Sequence, residues 1–295
     1  MARVLTFLAV LVIAIYAFAF FVRKTGMFFP DRFPTGRWDT KQWPIEPAEH
    51  WITTSDGVRL HAWFFKSNDD KAPLLIWFHG NAGNLTDRAD IACELARRGA
   101  SVFLFDWRGY GKSEGRPSES GLYRDALAAF DYVKTLPECH PEPRQTAKDP
   151  PPKHAARSPA GDSSPSARLG MTDIVLYGES LGGPYAAYVA KERKGAHSVI
   201  IENSFPSLAA LGNAFYKLGW TAPFALRTSH WLNEAGLPVL VMHGTRDQVI
   251  PYSLGKQLYD ELRVPKEMLT ANAGHCEIPT TEGGPYYEAV IKFAH

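Results

Sequence analysis

The chain has 295 residues, enough for one large α/β domain or two small ones, each with a full hydrophobic core. Its apolar fraction of 45% and charged fraction of 21% are those of a globular protein, and a formal net charge of +1 gives no electrostatic basis for binding nucleic acid. Cys93, Cys139 and Cys276 are far apart in sequence, so they form neither a metal-binding pair nor a disulfide framework.

The first predicted element is an apolar segment without charges, residues 4–22, which begins with Val4 and ends with Val22. As a helix rising ~1.5 Å per residue it would reach roughly 28 Å, close to the thickness of the hydrocarbon core of a bilayer. The alternative is a cleaved signal peptide, because residues 17–19 (Ala-Phe-Ala) have the form of a cleavage site. The apolar run continues past that site, so we expect a single-pass anchor over residues 1–25, with a secreted or periplasmic mature protein as the alternative.

Residues 26–50 are rich in proline, phenylalanine and tryptophan. This composition predicts an irregular stalk laid against the globular body. Contact of the aromatic rings near residues 27–29 with the membrane interface is a second interpretation.

From residue 51 to the C-terminus, strand and helix patterns alternate. A β-hairpin is predicted around Asp56-Gly57, with strands over residues 51–54 and 58–65. Continuously apolar runs predict strands buried on both faces over residues 74–78, 102–105, 174–177, 199–201 and 239–242, and a last strand is expected at 268–270. Amphipathic patterns predict helices over residues 87–98, 119–135, 181–193, 254–262 and 285–293. The alternation indicates a doubly wound α/β domain with a mostly parallel sheet and an antiparallel hairpin at its leading edge.

Two segments interrupt this alternation. Residues 139–169 are dense in proline, serine, alanine and basic side chains, which predicts a disordered surface insertion. Residues 204–235 follow a strand and carry several large apolar side chains. They are interpreted either as ordinary packing helices or as a small lid whose apolar lining would suit an acyl chain.

The pattern Gly-x-Ser-x-Gly occurs twice, around Ser113 and around Ser180. Ser180 directly follows a predicted strand and directly precedes a helix rich in small residues, with Gly178 and Gly182 beside it. This is the context of a nucleophile elbow, in which the serine is exposed at the top of a sheet. Ser113 lies in a loop with no helix after it, so Ser180 is the predicted nucleophile.

A serine nucleophile needs a base and an orienting acid, which in an elbow enzyme follow in the order serine, acid, histidine. His275 lies between the last predicted strand and the last helix, and Asp247 lies in the loop after the preceding strand. We expect these two residues to serve Ser180. Glu202 is the rival acid, ranked behind Asp247, and His243 is expected to have a structural role.

The tetrahedral intermediate of acyl transfer also needs hydrogen-bond donors for its oxyanion. The backbone N–H of Leu181, directly after the serine, is one predicted donor. The glycine-rich turn at residues 79–84 is expected to supply the other, the N–H of Asn81. A phosphate cradle is the alternative, but the glycine spacing matches no phosphate-binding motif and no lysine follows.

Together these residues resemble the α/β-hydrolase superfamily, and more narrowly the membrane-anchored ABHD-type serine hydrolases and their bacterial relatives. The resemblance is carried by five motifs, at residues 79–84, 106–115, 178–182, 243–247 and 274–275. It implies an α/β-hydrolase fold, a Ser180-Asp247-His275 triad, structural roles for Asp106 and Arg108, and no metal or cofactor.

We therefore expect a serine hydrolase that cleaves esters or thioesters of apolar acyl groups, with a small-molecule or lipid substrate and no nucleic-acid partner. Two alternatives remain: a non-catalytic interaction protein on a hydrolase scaffold, and a serine peptidase or acyltransferase with the same fold.

Overall fold

The computed structural model describes residues 28–137, 173–217 and 226–295, together with Thr6 and Val10. Apart from those two residues, the predicted anchor at residues 4–22 lies outside the described part of the chain, as does the predicted insertion at residues 139–169. Within the described part, no helix is both long enough and apolar enough to span a bilayer.

The described chain contains ten strands. They are β1 (Phe29–Pro30), β2 (Ala48–Thr53), β3 (Arg59–Phe65), β4 (Leu74–Phe78), β5 (Ala82–Gly83), β6 (Ser101–Phe105), β7 (Ile174–Glu179), β8 (Ala196–Glu202), β9 (Val239–Gly244) and β10 (Lys266–Ala271). The helices are α1 (Ala89–Arg97), α2 (Glu119–Val133), α3 (Gly182–Glu192), α4 (Leu208–Tyr216), α5 (Thr228–Ala235), α6 (Tyr252–Glu261), α7 (Ile278–Glu282) and α8 (Gly284–Ala294), with short 3-10 helices at Thr40–Gln42 and Leu85–Asp87.

Eight of the strands form one sheet in the order β10-β9-β8-β7-β4-β6-β3-β2. From β10 to β6 all neighbours are parallel, whereas β3 is antiparallel to both β6 and β2. Every residue of β4, β6, β7 and β9 is buried, as expected for strands covered on both faces. The predicted parallel sheet with an antiparallel hairpin at its leading edge is confirmed.

Helices cover both faces of this sheet because successive side chains of a strand point to opposite sides. On one face, apolar side chains of α2, α3, α5 and α6 pack against alternate residues of the strands. On the other face α1 and α8 pack around Trp77, Tyr177 and Leu240. Each layer removes large apolar side chains from water, at about 1.5–3 kcal/mol of stabilisation for each fully buried one.

The register of the parallel strands aligns their carboxyl ends. Glu179 at the end of β7 lies beside Glu202 at the end of β8, which in turn lies beside Met242 in β9. The loops that follow β4, β7, β8, β9 and β10 therefore meet at one edge of the sheet. This carboxyl edge carries the predicted site residues.

The segment ahead of the hairpin is more integral to the fold than a stalk. It lies against the body, as predicted, but β1 pairs with β5 and Phe28 is buried in the core. Trp43 is also buried, 5.3 Å from the ring of Trp63, and its indole N–H donates to Asp90 at 2.7 Å. Residues 28–50, which the sequence analysis assigned to a stalk, therefore pack as part of the folded body.

The described part of the predicted lid contains α4 and α5, and residues 218–225 lie outside the description. Helix α5 packs on the body through the buried side chains of Trp231 and Leu232. No residue of α4 is buried, although Leu208 and Leu211 lie partly against the core. One half of this segment thus packs as an ordinary helix, and the other half lies at the surface.

Candidate active site

Ser180 occupies a sharp turn between β7 and α3. Its φ of 51° lies in the left-handed region, a conformation that a non-glycine residue adopts only when its surroundings impose it. The Ser180 N–H donates to the carbonyl of Glu202 at 2.8 Å, and the Ser180 carbonyl accepts from the hydroxyl of Ser204 at 2.7 Å. The end of β8 and the loop directly after it therefore hold both backbone polar groups of the strained residue.

The glycines of the turn allow its close packing. A Cβ at Gly182 would lie 1.8 Å from the carbonyl oxygen of Phe78, and one at Gly178 would lie 2.6 Å from the Cα of Gly183. Because these contacts are with backbone atoms, a larger residue could not be relieved by a rotamer change. The pattern Gly-x-Ser-x-Gly thus reflects steric limits on both sides of Ser180.

The structure brings Ser180, His275 and Asp247 together from three separate loops. The Nε2 of His275 lies 2.9 Å from the Oγ of Ser180, and its Nδ1 lies 2.7 Å from Oδ2 of Asp247. When Nδ1–H donates to the carboxylate, Nε2 is left as the acceptor for the serine hydroxyl. Ser180 and Asp247 are each 7% exposed, so the arrangement is largely shielded from water.

The second oxygen of Asp247 is held by the backbone. Its Oδ1 accepts from the N–H groups of Val249 and Ile250, both at 2.8 Å. Two such bonds fix the plane of the carboxylate and leave Oδ2 directed at His275. The short loop between Asp247 and Pro251 thus orients the acid.

His243 has the structural position expected for it. It is fully buried, its Nε2 lies 2.9 Å from the carbonyl of Ile250, and burial lowers its pKa. A Cβ at Gly255 would lie 2.1 Å from its Nδ1, so α6 packs directly against the ring. The histidine braces the loop that carries Asp247.

The two predicted oxyanion donors lie on adjoining loops. A Cβ at Gly80 would lie 3.4 Å from the Cβ of Ser180, which places the turn after β4 against the serine. Among the described residues, neither the N–H of Asn81 nor that of Leu181 donates a hydrogen bond. The carbonyl of Asn81 accepts from the hydroxyl of Tyr110 at 2.8 Å and from the N–H of Phe29 at 3.3 Å, which fixes the orientation of this turn.

Asn203 is a site residue that the sequence analysis missed. It is fully buried with a φ of 47°, directly after β8. Its Nδ2 donates to the carbonyl of His275, and its Oδ1 accepts from the N–H of Gly244 at 2.9 Å. One amide therefore links the histidine loop to the end of β9. The sequence signal was an asparagine at a strand end, where the left-handed conformation is tolerated.

Glu202, the rival acid, lies elsewhere. Its side chain is buried on the face of the sheet that α1 and α8 cover. There its Oε2 accepts from the hydroxyl of Tyr177 and lies 3.5 Å from the hydroxyl of Tyr286. Burial raises its pKa to about 8, despite the hydrogen bond from Tyr177. Asp247, and not Glu202, contacts His275.

The rival serine, Ser113, also lies elsewhere. Its hydroxyl donates to the carbonyl of Asp106 at 2.8 Å and accepts from the N–H of His61 at 2.9 Å. Within the loop at residues 106–115, Arg108 forms ion pairs with Asp125 and Asp56, both at 2.8 Å. These contacts join the loop to α2 and to the hairpin turn, so Ser113 and Arg108 have structural partners away from Ser180.

A cavity of about 320 Å³ lies beside the site on the α1 face of the sheet. Its walls include Glu179 and Cys276, the chain neighbours of Ser180 and His275. Arg88 pairs with Glu179 at 2.7 Å, and although burial opposes ionisation, this ion pair lowers the pKa of Glu179 to about 2. Cys276 is exposed as a residue, but partial burial of its thiol, with Glu179 nearby, raises the pKa of that thiol to about 12, so the thiol stays protonated near neutral pH.

A mostly parallel sheet, a strained serine turn and a histidine-carboxylate pair at the carboxyl edge define an α/β hydrolase. The family model for the alpha/beta hydrolase fold matches residues 73–200. The chain is 30% identical to the alpha/beta hydrolase domain-containing protein WAV2 of Arabidopsis thaliana, over 86% of this chain and 82% of that protein. It is 29% identical to the protein bem46 of Schizosaccharomyces pombe, over 83% of this chain and 76% of that protein.

Among solved structures, the fold is similar to that of the esterase Pf2001 of Pyrococcus furiosus. The TM-score is 0.66 at 20% identity, with 90% of this chain and 97% of the esterase covered. The chain belongs to the α/β-hydrolase family.

Proposed function

We propose that this protein is a serine hydrolase that cleaves carboxylic esters or thioesters of apolar acyl groups. The observation that carries the proposal is the 2.9 Å separation of His275 Nε2 from Ser180 Oγ, with Asp247 2.7 Å from the other ring nitrogen. A serine hydroxyl needs such a base to become an effective nucleophile. The neighbouring N–H groups of Leu181 and Asn81 support the same chemistry.

In the proposed reaction, Ser180 Oγ attacks the acyl carbon while His275 Nε2 accepts the hydroxyl proton. Asp247 holds the ring and stabilises the imidazolium. The oxyanion receives hydrogen bonds from the N–H groups of Leu181 and Asn81. Collapse of the intermediate breaks the bond to the leaving alcohol or thiol, which takes the proton from His275. Water then attacks the acyl-enzyme by the same steps, releasing the acid and restoring Ser180.

The preference for apolar acyl groups is supported by the surroundings of the site. Phe205 is buried beside the carboxyl edge, and Leu208 and Leu211 of α4 lie partly against the core. An acyl chain would find apolar contacts on this side of Ser180.

Labelling with a fluorophosphonate tests the proposal. We expect the wild-type protein to be labelled and Ser180→Ala to remain unlabelled, with hydrolysis of p-nitrophenyl esters reduced by at least about 10⁴-fold. Ser113→Ala is the matched control, because Ser113 lies in the other Gly-x-Ser-x-Gly sequence, and it should still be labelled. An unlabelled wild type, or labelling that persists in Ser180→Ala, contradicts the proposal.

The acyl preference is tested separately with p-nitrophenyl esters of increasing chain length. We expect kcat/KM to rise with chain length at least to medium-chain esters, because each buried methylene contributes about 0.8 kcal/mol. A steady fall of kcat/KM with chain length would contradict an apolar acyl site while leaving the serine chemistry in place.

We also propose that residues 4–22 anchor the protein in a membrane, with the α/β-hydrolase domain beside the bilayer. The proposal is supported by the length and apolar character of this segment.

A further inference from the structure

Exposed large apolar side chains are concentrated at the carboxyl edge of the sheet. Residues 28–137, 173–217 and 226–295 contain six such side chains, and five of them lie in β1, in loops or in α4 at this edge. We call these five the rim: Phe29, Phe33, Phe215, Tyr216 and Val249, which are between 46% and 74% exposed. The sixth, Trp51, lies on the edge strand β2, four positions from β7 in the sheet.

Hydrogen bonds place three rim residues beside the site. The N–H of Phe29 donates to Asn81 at 3.3 Å, and the N–H of Val249 donates to Asp247 at 2.8 Å. The N–H of Phe33 donates to the carbonyl of Gly111, in the loop after β6, at 2.9 Å. These three exposed side chains therefore lie next to loops at the carboxyl edge, the edge that carries Ser180.

The other two rim residues end α4, which starts six residues after β8. Ser207 caps the helix by accepting from the N–H of Ala210 at 3.1 Å. Leu208 and Leu211 face the core, whereas Phe215 and Tyr216 are exposed, and Lys217 ends the helix beside them. Exposed aromatic side chains next to a cation are typical of surfaces that contact a lipid interface.

The N-terminal chain also enters the domain at this edge. Phe28 is buried in the same core cluster as Leu181, the residue after Ser180. Only residues 23–27 separate it from the apolar segment at residues 4–22. Residue 22 and Phe28 are therefore six Cα–Cα steps apart, which span at most about 20 Å at roughly 3.4 Å each. An anchor in the bilayer would therefore hold Phe28, and with it the edge at which the chain enters the domain, within about 20 Å of the membrane surface.

We propose that the rim docks on the lipid bilayer, so that substrate esters reach Ser180 directly from the membrane. This inference rests on the proposed hydrolase function and on the proposed anchor. Aromatic side chains are favoured at the membrane–water interface, and a clustered apolar patch marks an interaction site. The short connection to the anchor makes the bilayer, and not a soluble protein, the partner of this surface.

The kinetic test uses the full chain in phosphatidylcholine vesicles and a triple variant, Phe33→Ser, Phe215→Ser and Tyr216→Ser. Phe29 and Val249 are left unchanged because their backbones hold the oxyanion and acid loops. Each protein is assayed on water-soluble p-nitrophenyl acetate and on 4-methylumbelliferyl palmitate embedded in the vesicles. Trp51→Ser is the matched control, since Trp51 is exposed but lies outside the rim.

We expect the triple variant to hydrolyse the embedded ester about tenfold or more slowly, and the soluble ester within about twofold of wild type. Trp51→Ser should change neither rate by more than about twofold. Equal rates for the triple variant and the wild type on the embedded ester would overturn the proposal. An equal loss on both esters would also overturn it, because the rim would then serve folding or catalysis.

A second measurement detects docking independently of hydrolysis. In a chain with Cys139→Ser and Cys276→Ser, where the remaining Cys93 is buried, a fluorophore is attached at Tyr216→Cys or at Trp51→Cys. We expect phosphatidylcholine that carries a nitroxide to quench the label at position 216 and not the label at position 51. Equal quenching at the two positions, or none, would refute docking. Quenching at position 216, together with a wild-type full chain that has no esterase activity, would refute the proposed function alone.

Discussion

At the scale of single residues, Asn203 connects two loops that the site needs in a fixed relation. Its amide contacts the carbonyl of His275 and the N–H of Gly244, and its φ of 47° is one that asparagine tolerates better than most residues. It touches none of the atoms proposed to react. It is therefore a positioning residue, which acts through His275.

Replacing Asn203 should reduce turnover more than substrate binding. We expect Asn203→Gly to lower kcat by about 10–100-fold with little change in KM, because a small misplacement of a base is costly. Glycine is preferred to alanine here because it adopts a φ of 47° without strain. The fall in kcat then measures the loss of the Asn203 side-chain amide and not of the backbone conformation. Steady-state kinetics measure the effect, and Asn68→Ala, at an exposed position, is the control. An unchanged kcat would show that His275 needs no such support.

Glu202 makes the stability of the protein depend on pH. Burial raises its pKa from an ordinary value of 4.5 to about 8, so the folded state retains a proton that the unfolded state has lost in this range. Below pH 4.5 both states are protonated and its contribution is fully present. As pH rises from 4.5 through 8, that contribution is lost, at up to about 1.4 kcal/mol per pH unit.

Glu202→Gln should therefore reduce the dependence of the free energy of unfolding on pH between pH 4.5 and 8. The neutral amide keeps an oxygen to accept from Tyr177 but has no proton to lose. We expect the free energy of unfolding of wild type, measured with urea at pH 5 and pH 8, to fall by a few kcal/mol more than that of the variant. Glu288→Gln, at an exposed position of α8, should leave the wild-type profile unchanged. Parallel profiles for wild type and Glu202→Gln would contradict the assignment.

At the scale of elements, the turn from β7 into α3 is held by contacts between backbones. Gly182 lies directly against the end of β4, and the carbonyl and N–H of Ser180 are bonded to the end of β8. The serine is thus fixed by the two strands that flank β7 in the sheet. This rigidity offsets the strain of the left-handed conformation of Ser180.

Gly182 and Gly284 allow the effect of an added Cβ on stability to be compared between a crowded and an open position. A Cβ at Gly182 would lie 1.8 Å from the carbonyl oxygen of Phe78, whereas one at Gly284 would meet nothing within 4 Å. We expect Gly182→Ala to lower the free energy of unfolding by about 1–3 kcal/mol or to prevent folding, since main-chain atoms cannot give way. Gly284→Ala should change it by less than about 1 kcal/mol. Urea denaturation measures both, and equal effects would disprove the steric argument.

At the scale of the whole molecule, the arrangement of the chain relative to a membrane follows from the proposed anchor. Phe28 is buried in the folded domain, and the first described strand, β1, pairs with β5 in the turn after β4. A membrane segment ending at residue 22 would therefore place the carboxyl edge, and not the opposite edge of the sheet, next to the bilayer. The rim and the anchor would then act on the same side of the domain.

Removal of residues 1–25 should release the protein from membranes. We expect the full chain to remain in the membrane pellet after carbonate extraction, because a spanning helix resists it, and the shortened chain to appear in the supernatant. N-terminal sequencing of the mature full chain distinguishes the alternative. A sequence that starts after Ala19 would show a cleaved signal peptide instead of an anchor.

Much of the architecture followed from local patterns. Continuous apolar runs located β4, β6, β7, β8 and β9, and β4 matches its predicted residues 74–78 at both ends. The order of Ser180, Asp247 and His275 along the chain, each after a strand, was enough to nominate the site residues, because parallel strands bring their carboxyl ends to one edge. These inferences need only the periodicity of side chains and the topology of a parallel sheet.

Other features depended on contacts between residues distant in sequence. The role of Asn203 arises from partners 41 and 72 positions away, and the burial of Glu202 depends on Tyr286, 84 positions away. The association of residues 28–50 with the body and the exposure of the rim side chains likewise arise from packing. Sequence by itself determined the fold class and the three candidate site residues, because periodicity and strand order are local. Only the tertiary structure decided which groups support the site and which apolar side chains stay exposed, because burial depends on the whole fold.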